Sequence, residues 1–367
     1  MVHPCVERMA QTLVRYSVSL RKGDKVVIEG NDLAAPLIRE VFREAVRAGA
    51  YPIVLASIDG VSEIFLKEAS DEQLAFVPPH RELLIGTVDA VIGILSDYNT
   101  RALSGVDPKK QAAYSRAHSR LHKVFLERAA RGELRWCGTL YPTHALAQEA
   151  SMSLSEYEEF VFRACYVDQE DPVAKWREMQ KHNDRIIEAL KDIDVLRIVG
   201  EETDLTLSVK GRTWINADGH KNFPDGEIFT GPVETSANGH IRFSFPGIYR
   251  GNAIEDIRLT FRDGKVVDAK AKVGESLLKA LLNTDSGASY LGELGIGTNY
   301  GIQRFSRHIL FDEKIGGTVH LAVGSGYPET GSKNESGVHW DMICDLRNGG
   351  EIYGDGQLIY KDGKFVI

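Results

Sequence analysis

From Gly23 to Leu55 the chain reads strand, helix, strand, and that order is the tightest constraint the sequence places on its fold. Gly23-Asp24 precedes the apolar run Lys25-Val26-Val27-Ile28-Glu29, a 3.6-periodic segment opens at Asp32-Leu33 and runs to Ala48, and Ala50-Tyr51-Pro52-Ile53-Val54-Leu55 follows. The helical segment sets Leu37, Ile38, Val41, Phe42 and Val46 on one stripe and stops at Gly49, where a C-terminal cap wants a residue tolerant of left-handed φ. Two strands joined by such a helix lie parallel, with a right-handed crossover. Apolar runs at 90–95 and 134–139 alternate with a long helical segment around 109–131, which extends the unit into an open α/β sheet. Ser153-Leu154-Ser155-Glu156 has the spacing of a capping box, and 172–192 reads as a long amphipathic helix.

From about Ile193 the pattern changes to short extended runs at 195–200, 205–209, 241–245, 257–261 and 266–272, with one helix at 276–282 and a strand at 318–323. Asp263-Gly264 and Asp362-Gly363 suit hairpin turns. The expected architecture is an α/β chain: an amino-terminal open α/β sheet domain over 1–190, then a β-rich α+β domain over 191–367. No glycine-rich nucleotide fingerprint follows a strand, so the first domain reads as a scaffold.

The formal net charge of −8 argues against a phosphate-backbone partner, and the basic residues between Lys109 and Arg131 read as a solvated helix face; no nucleic acid is expected. The start Met1-Val2-His3-Pro4 lacks the apolar core of a signal peptide, and no apolar run has the length of a membrane span. The expectation is a cytoplasmic protein with no membrane partner. Cys5, Cys137, Cys165 and Cys344 stand singly and read as buried free thiols.

The chemistry concentrates in the second domain. His339 and Asp341 sit two apart in Val338-His339-Trp340-Asp341-Met342-Ile343, so on a strand they share a face, whereas on a helix they would diverge. Read singly, a His-x-Asp pair is more often hydrogen-bonded than metal-bound. Glycine-rich stretches around Glu227, Glu293 and Glu313 read as tight loops, and His320 lies in an apolar strand. Together Glu227, Glu293, Glu313, His320, His339 and Asp341 make four carboxylates and two imidazoles in one domain, an inventory suited to two divalent metals. Oxygen and nitrogen donors without thiolate favour zinc, manganese or cobalt in an open catalytic site.

The segments 223–232, 292–299, 309–322 and 338–342, with Lys22-Gly23-Asp24-Lys25 and Tyr141-Pro142-Thr143, resemble the aminopeptidase T and aminopeptidase S family of metallo-aminopeptidases along almost the whole chain. That resemblance implies a dinuclear site at Glu227, Glu293, Glu313, His320, His339 and Asp341, with Tyr327 reaching into the cavity. Between Glu313 and His320 this chain carries a longer Gly316-Gly317 turn than some relatives. The implied cofactors are two divalent ions, zinc or cobalt first, with manganese or magnesium also admitted. The implied reaction releases the unblocked amino-terminal residue of a peptide through a metal-bridged hydroxide. Glu293 is expected to be the shared carboxylate, Glu313 or Glu293 the general base, and Tyr327 an oxyanion donor. The resemblance further implies a homodimer, which would make the first domain a scaffold and dimerisation unit and the second the catalytic one.

Two other readings fit the ligand inventory. One is a two-metal phosphoesterase, for which Arg304, Arg307 or Lys314 would have to serve as phosphate clamps. The other is a non-catalytic, metal-stabilised peptide-binding module.

Overall fold

The computed structural model describes residues 3–249 and 251–367. The chain divides into two compact units, one of Met1–Val173 with Gly219–Phe223, the other of Ala174–Asp218 with Pro224–Ile367.

The first unit is built on a parallel sheet. Its strands are β1 (Lys25–Asn31), β2 (Tyr51–Ser57), β3 (Ala90–Leu95), β4 (Arg135–Leu140) and a two-residue strand, Asn222–Phe223, in the order β2, β1, β3, β4, 222–223. All four pairings are parallel. Helix α1 (Ala35–Arg47) links β1 to β2 and buries Leu37, Ile38 and Val41. Phe42 and Val46, expected on that same buried stripe, are exposed. The strand that follows this helix, β2, is the sheet edge, paired on one flank only, and is itself largely exposed. Gly49 takes φ 78°, as the C-terminal cap requires. The capping box at Ser153 forms: its hydroxyl accepts from the Glu156 amide at 3.3 Å, and the Glu156 carboxylate accepts from the Ser153 amide at 2.8 Å.

The second unit pairs two antiparallel sheets. The larger has eight strands and holds the runs Val195–Gly200, Thr203–Ser208, Asn238–Phe243, Ile257–Arg262 and Lys265–Lys270. Both Asp-Gly pairs turn hairpins here, with φ 50° and 83° at Asp263-Gly264 and 47° and 80° at Asp362-Gly363, the doubly positive backbone of a type I′ turn. The smaller sheet comprises β5 (Ile215–Ala217), β6 (Glu227–Thr230), β7 (Leu291–Gly297), β8 (Thr318–Gly324) and β9 (His339–Asp345), in the order β9, β8, β7, β6, β5. Helix α2 (Pro172–Leu190) contributes Ile186 and Leu190 to the core of this unit.

Strand periodicity decides what the smaller sheet does. Ile228, Leu294, Ile296, Val319, Leu321, Val323, Trp340, Met342 and Cys344 alternate onto one face and join the larger sheet's Leu196, Ile198, Leu205 and Leu259 in a single core. Burial stabilises each large side chain there by roughly 1.5–3 kcal/mol. The intervening residues must therefore point to the other face, and they include every ligand-type residue named on these strands. No helix among the described residues is long and apolar enough to cross a membrane.

Candidate metal centre

The register of the smaller sheet assembles the site. Asp341 pairs with Ala322, which pairs with Glu293, and His320 pairs with Gly295, which pairs with Phe229. His339 faces Gly324 and Glu227 faces Gly297. On this face the acids and imidazoles alternate with Ala322, Gly295, Gly297 and Gly324, residues small enough to leave a floor open above the backbone. A Cβ at Gly295 would sit 2.1 Å from His320 Cε1 and Nε2. The stretch Gly292-Glu293-Leu294-Gly295, read from sequence as a tight loop, is thus a fully buried strand: its glycines admit neighbouring atoms while Leu294 and Ile296 pack the core. Glu227 likewise opens β6 rather than ending a loop, and the α2 residue Asn183 donates to its carbonyl at 3.5 Å. Gly295→Ala is expected to displace the confined His320 ring and weaken divalent-metal affinity by about 10–100-fold, measured by competition with a chromogenic chelator.

Glu293 lies between the two imidazoles. Its Oε1 is 3.6 Å from His320 Nε2, and its Oε2 is 3.3 Å from His339 Nε2. His339 Nε2 also faces Asp341 Oδ2 at 3.5 Å, while His320 Nε2 faces Glu227 Oε2 at 3.2 Å. Glu293, His339 and Asp341 can each offer one donor atom within 4.8 Å of the others. His339 Nδ1 is 2.7 Å from the Ser325 carbonyl, which can only accept, so Nδ1 carries hydrogen and Nε2 is the nitrogen turned toward Glu293 and Asp341. Asp341 Oδ1 is buried without a hydrogen-bond partner, and Glu227 Oε2, though 3.2 Å from His320 Nε2, has no partner in hydrogen-bond geometry. Such atoms carry a desolvation cost that a cation would remove.

Burial opposes charge on either ring, but Glu227 and then Glu293 outweigh it at His320, pulled up to about 9, and Asp341 with Glu293 outweighs it at His339, pulled up to about 11. Both values lie above 7, so in the metal-free protein the rings hold protons that an entering cation must displace. Metal binding at pH 7.5 is therefore expected to release protons, and affinity to fall as pH is lowered. Calorimetry in two buffers of different ionisation enthalpy counts them; a count of zero contradicts this.

Glu313 follows the short helix Ile309–Asp312 as its C-cap residue and ion-pairs with Lys314. Lys314 is fully buried, and its Nζ also lies 3.6 Å from Glu227 Oε1. Burial works against its charge, yet Glu227 and Glu313 outweigh that and hold the ammonium above its ordinary range. Burial pushes Glu313 itself upward, more than Lys314 pulls it down. Tyr327, in the loop after β8, sets its ring edge-on to His339 at 5.1 Å and 5.5 Å from Phe229. Burial and then the Glu293 charge raise its phenol, so it stays a donor.

All seven residues singled out from sequence therefore lie on or beside one face of one sheet. From sequence, Lys314 reads as a phosphate clamp on the phosphoesterase alternative. The structure instead places it inside the carboxylate cluster, and its signal was a lysine flanked by the core residues Phe311 and Ile315. Arg304 is exposed, whereas Arg307 lines a cavity next to His339.

The chain is 30% identical to Aminopeptidase 2 of Geobacillus stearothermophilus, over 98% of this chain and 95% of that one. It is 28% identical to Aminopeptidase T of Thermus thermophilus, over 98% and 95%. The solved structure of wild-type AmpT from Thermus thermophilus superposes with a TM-score of 0.86 at 25% identity, covering 99% of both chains. The profile of the thermophilic metalloproteases, M29, matches residues 3–365, and with a site of this composition the chain belongs to that family.

Proposed function

We propose that this protein is a metal-dependent aminopeptidase that releases unblocked amino-terminal residues from peptides at a site for two divalent cations. The observation that carries the reading is Glu293, with one carboxylate oxygen toward each of two imidazoles. Glu293, His339 and Asp341 would hold one ion; Glu293, His320 and Glu227 would hold the other, with Glu313 at its margin. Charge supports two ions over one. Four carboxylates and the Lys314 ammonium leave −3 when the imidazoles are neutral, and only two divalent cations exceed that. The oxygen and nitrogen donors suit zinc or cobalt first, and also accept manganese or magnesium.

The cations supply Lewis acidity toward the scissile carbonyl and a water acidified enough to be a nucleophile near neutral pH. The protein's own groups do the rest. Glu313 is the carboxylate least engaged by the imidazoles, and burial raises its proton affinity, so we assign to it the proton that the water gives up and the leaving amine receives. Glu293 remains the shared ligand. Tyr327, held as a phenol, donates to the oxygen that becomes negative as water adds, stabilising the transition state above the ground state.

Lys314 is committed to Glu227 and Glu313 and offers no free clamp for a phosphoryl group, and the M29 relationship sets aside both the phosphoesterase and the binding-module readings. A cytoplasmic homodimer is the assembly we propose, with no nucleic acid or membrane partner. Four buried cysteines, none in a disulfide, suit a reducing compartment. The β2 edge exposes Tyr51, Ile53 and Val54, with Ile58 exposed just after it, apolar side chains that a second copy could cover. Sedimentation equilibrium of the protein and of Ile53→Asp, with fractionation of expressing cells, checks both.

The deciding experiment is hydrolysis of leucyl-p-nitroanilide by chelator-stripped protein before and after addition of cobalt or zinc, beside an amino-blocked substrate. Metal should restore cleavage of the free-amine substrate alone. Equal cleavage of the blocked one would contradict the proposal.

A further inference from the structure

Beyond the ligand row, β9 continues into a cavity. Ile343 lies two residues after Asp341 on the same strand face, one pleat or about 7 Å along. A cavity of about 190 Å³ opens there, with His339, Asp341 and Ile343 on one side and Ile248, Phe305 and Ile309 among its other walls. At about 30 Å³ per liquid water that is room for about six waters, or for one large apolar side chain. Arg307 also lines it, is held at φ 63°, and makes no ion pair or hydrogen bond among the described residues. A side-chain-bearing residue kept in left-handed backbone is a form of strain that clusters at functional sites. Asp312, the other charged wall residue outside the metal centre, accepts from both the amide and the hydroxyl of Ser306 at Oδ1, at 2.7 and 2.8 Å.

We infer that this cavity receives the side chain of the amino-terminal residue being released, that it selects large apolar residues such as Leu, Met and Phe, and that Arg307 turns away Lys and Arg. The inference rests on the aminopeptidase reading. A scissile carbonyl at the cations leaves the adjoining side chain within one pleat, beside Ile343. An apolar side chain gives up water there to walls that satisfy it. A cationic one meets an unpaired guanidinium and the cations themselves, a like-charge approach in a partly desolvated space.

The test is kcat/KM of metal-loaded protein on leucyl, phenylalanyl, alanyl, lysyl and glutamyl p-nitroanilides. The native protein should favour leucyl and phenylalanyl over alanyl and lysyl by at least about tenfold, the range that filling or emptying an apolar pocket produces. Ile343→Phe should lower the leucyl-to-alanyl ratio at least about tenfold, and Ile309→Trp, at a half-exposed position where folding is little at risk, should lower it in the same direction. Arg307→Gln should raise the lysyl-to-leucyl ratio at least about fivefold. Turnover with all these ratios unmoved, or a native preference for lysyl or glutamyl, overturns this inference alone. No turnover of any unblocked substrate overturns the aminopeptidase reading and this inference with it.

Discussion

Glu293→Ala is expected to lower kcat for peptide hydrolysis by at least about 10³-fold, which corresponds to about 4 kcal/mol of lost transition-state stabilisation. The carboxylate faces His320 on one side and His339 on the other, so its removal opens both halves of the centre at once. Alanine fits the strand, because Glu293 pairs with Ala322 on a face already populated by small residues, and the core side of β7 is untouched. The variant should therefore keep its fold while metal content, read by elemental analysis after dialysis, falls from two ions per chain. Full activity with both ions retained would remove Glu293 from the centre.

Lys314→Met should reduce stability by about 3–5 kcal/mol in the metal-stripped protein, the usual cost of leaving buried charges without their partner. Glu227 and Glu313 both face the Lys314 ammonium, and Asp225 adds to its field. In the metal-loaded protein the cations supply the missing positive charge, so the deficit should shrink. Chemical denaturation with and without zinc reads the difference directly. Equal destabilisation in both states would mean that Lys314 supports packing alone and takes no part in the charge balance of the site.

The elements differ in how much of them local sequence encodes. The β1–α1–β2 unit, both Asp-Gly hairpins and the strand through His339 were legible because each rests on local periodicity or on one turn with special φ. The short helices Pro4–Thr12, Val61–Glu68, Asp71–Ala75 and Pro79–Thr87 were not read, since segments so brief give periodicity little to repeat. Gly292 to Gly297 misled for a physical reason. Glycine in sequence suggests a turn, but here it makes space for His320 and for neighbouring backbone within a packed strand, which only the partner strands reveal. The identities of the acids and histidines were legible through the resemblance; their common face was not, because it depends on a register linking residues more than one hundred positions apart. Lys314 escaped for the same reason, being adjacent to Glu313 in sequence but tied to Glu227 only by the fold.

Anomalous diffraction at the zinc edge from crystals of the metal-loaded protein would count the cations and place them among these side chains. Two peaks are expected about 3.5–4 Å apart, one against His339 and Asp341, the other against His320 and Glu227, with Glu293 between them. A single peak, or two peaks away from Glu293, would contradict a two-cation centre shared by Glu293.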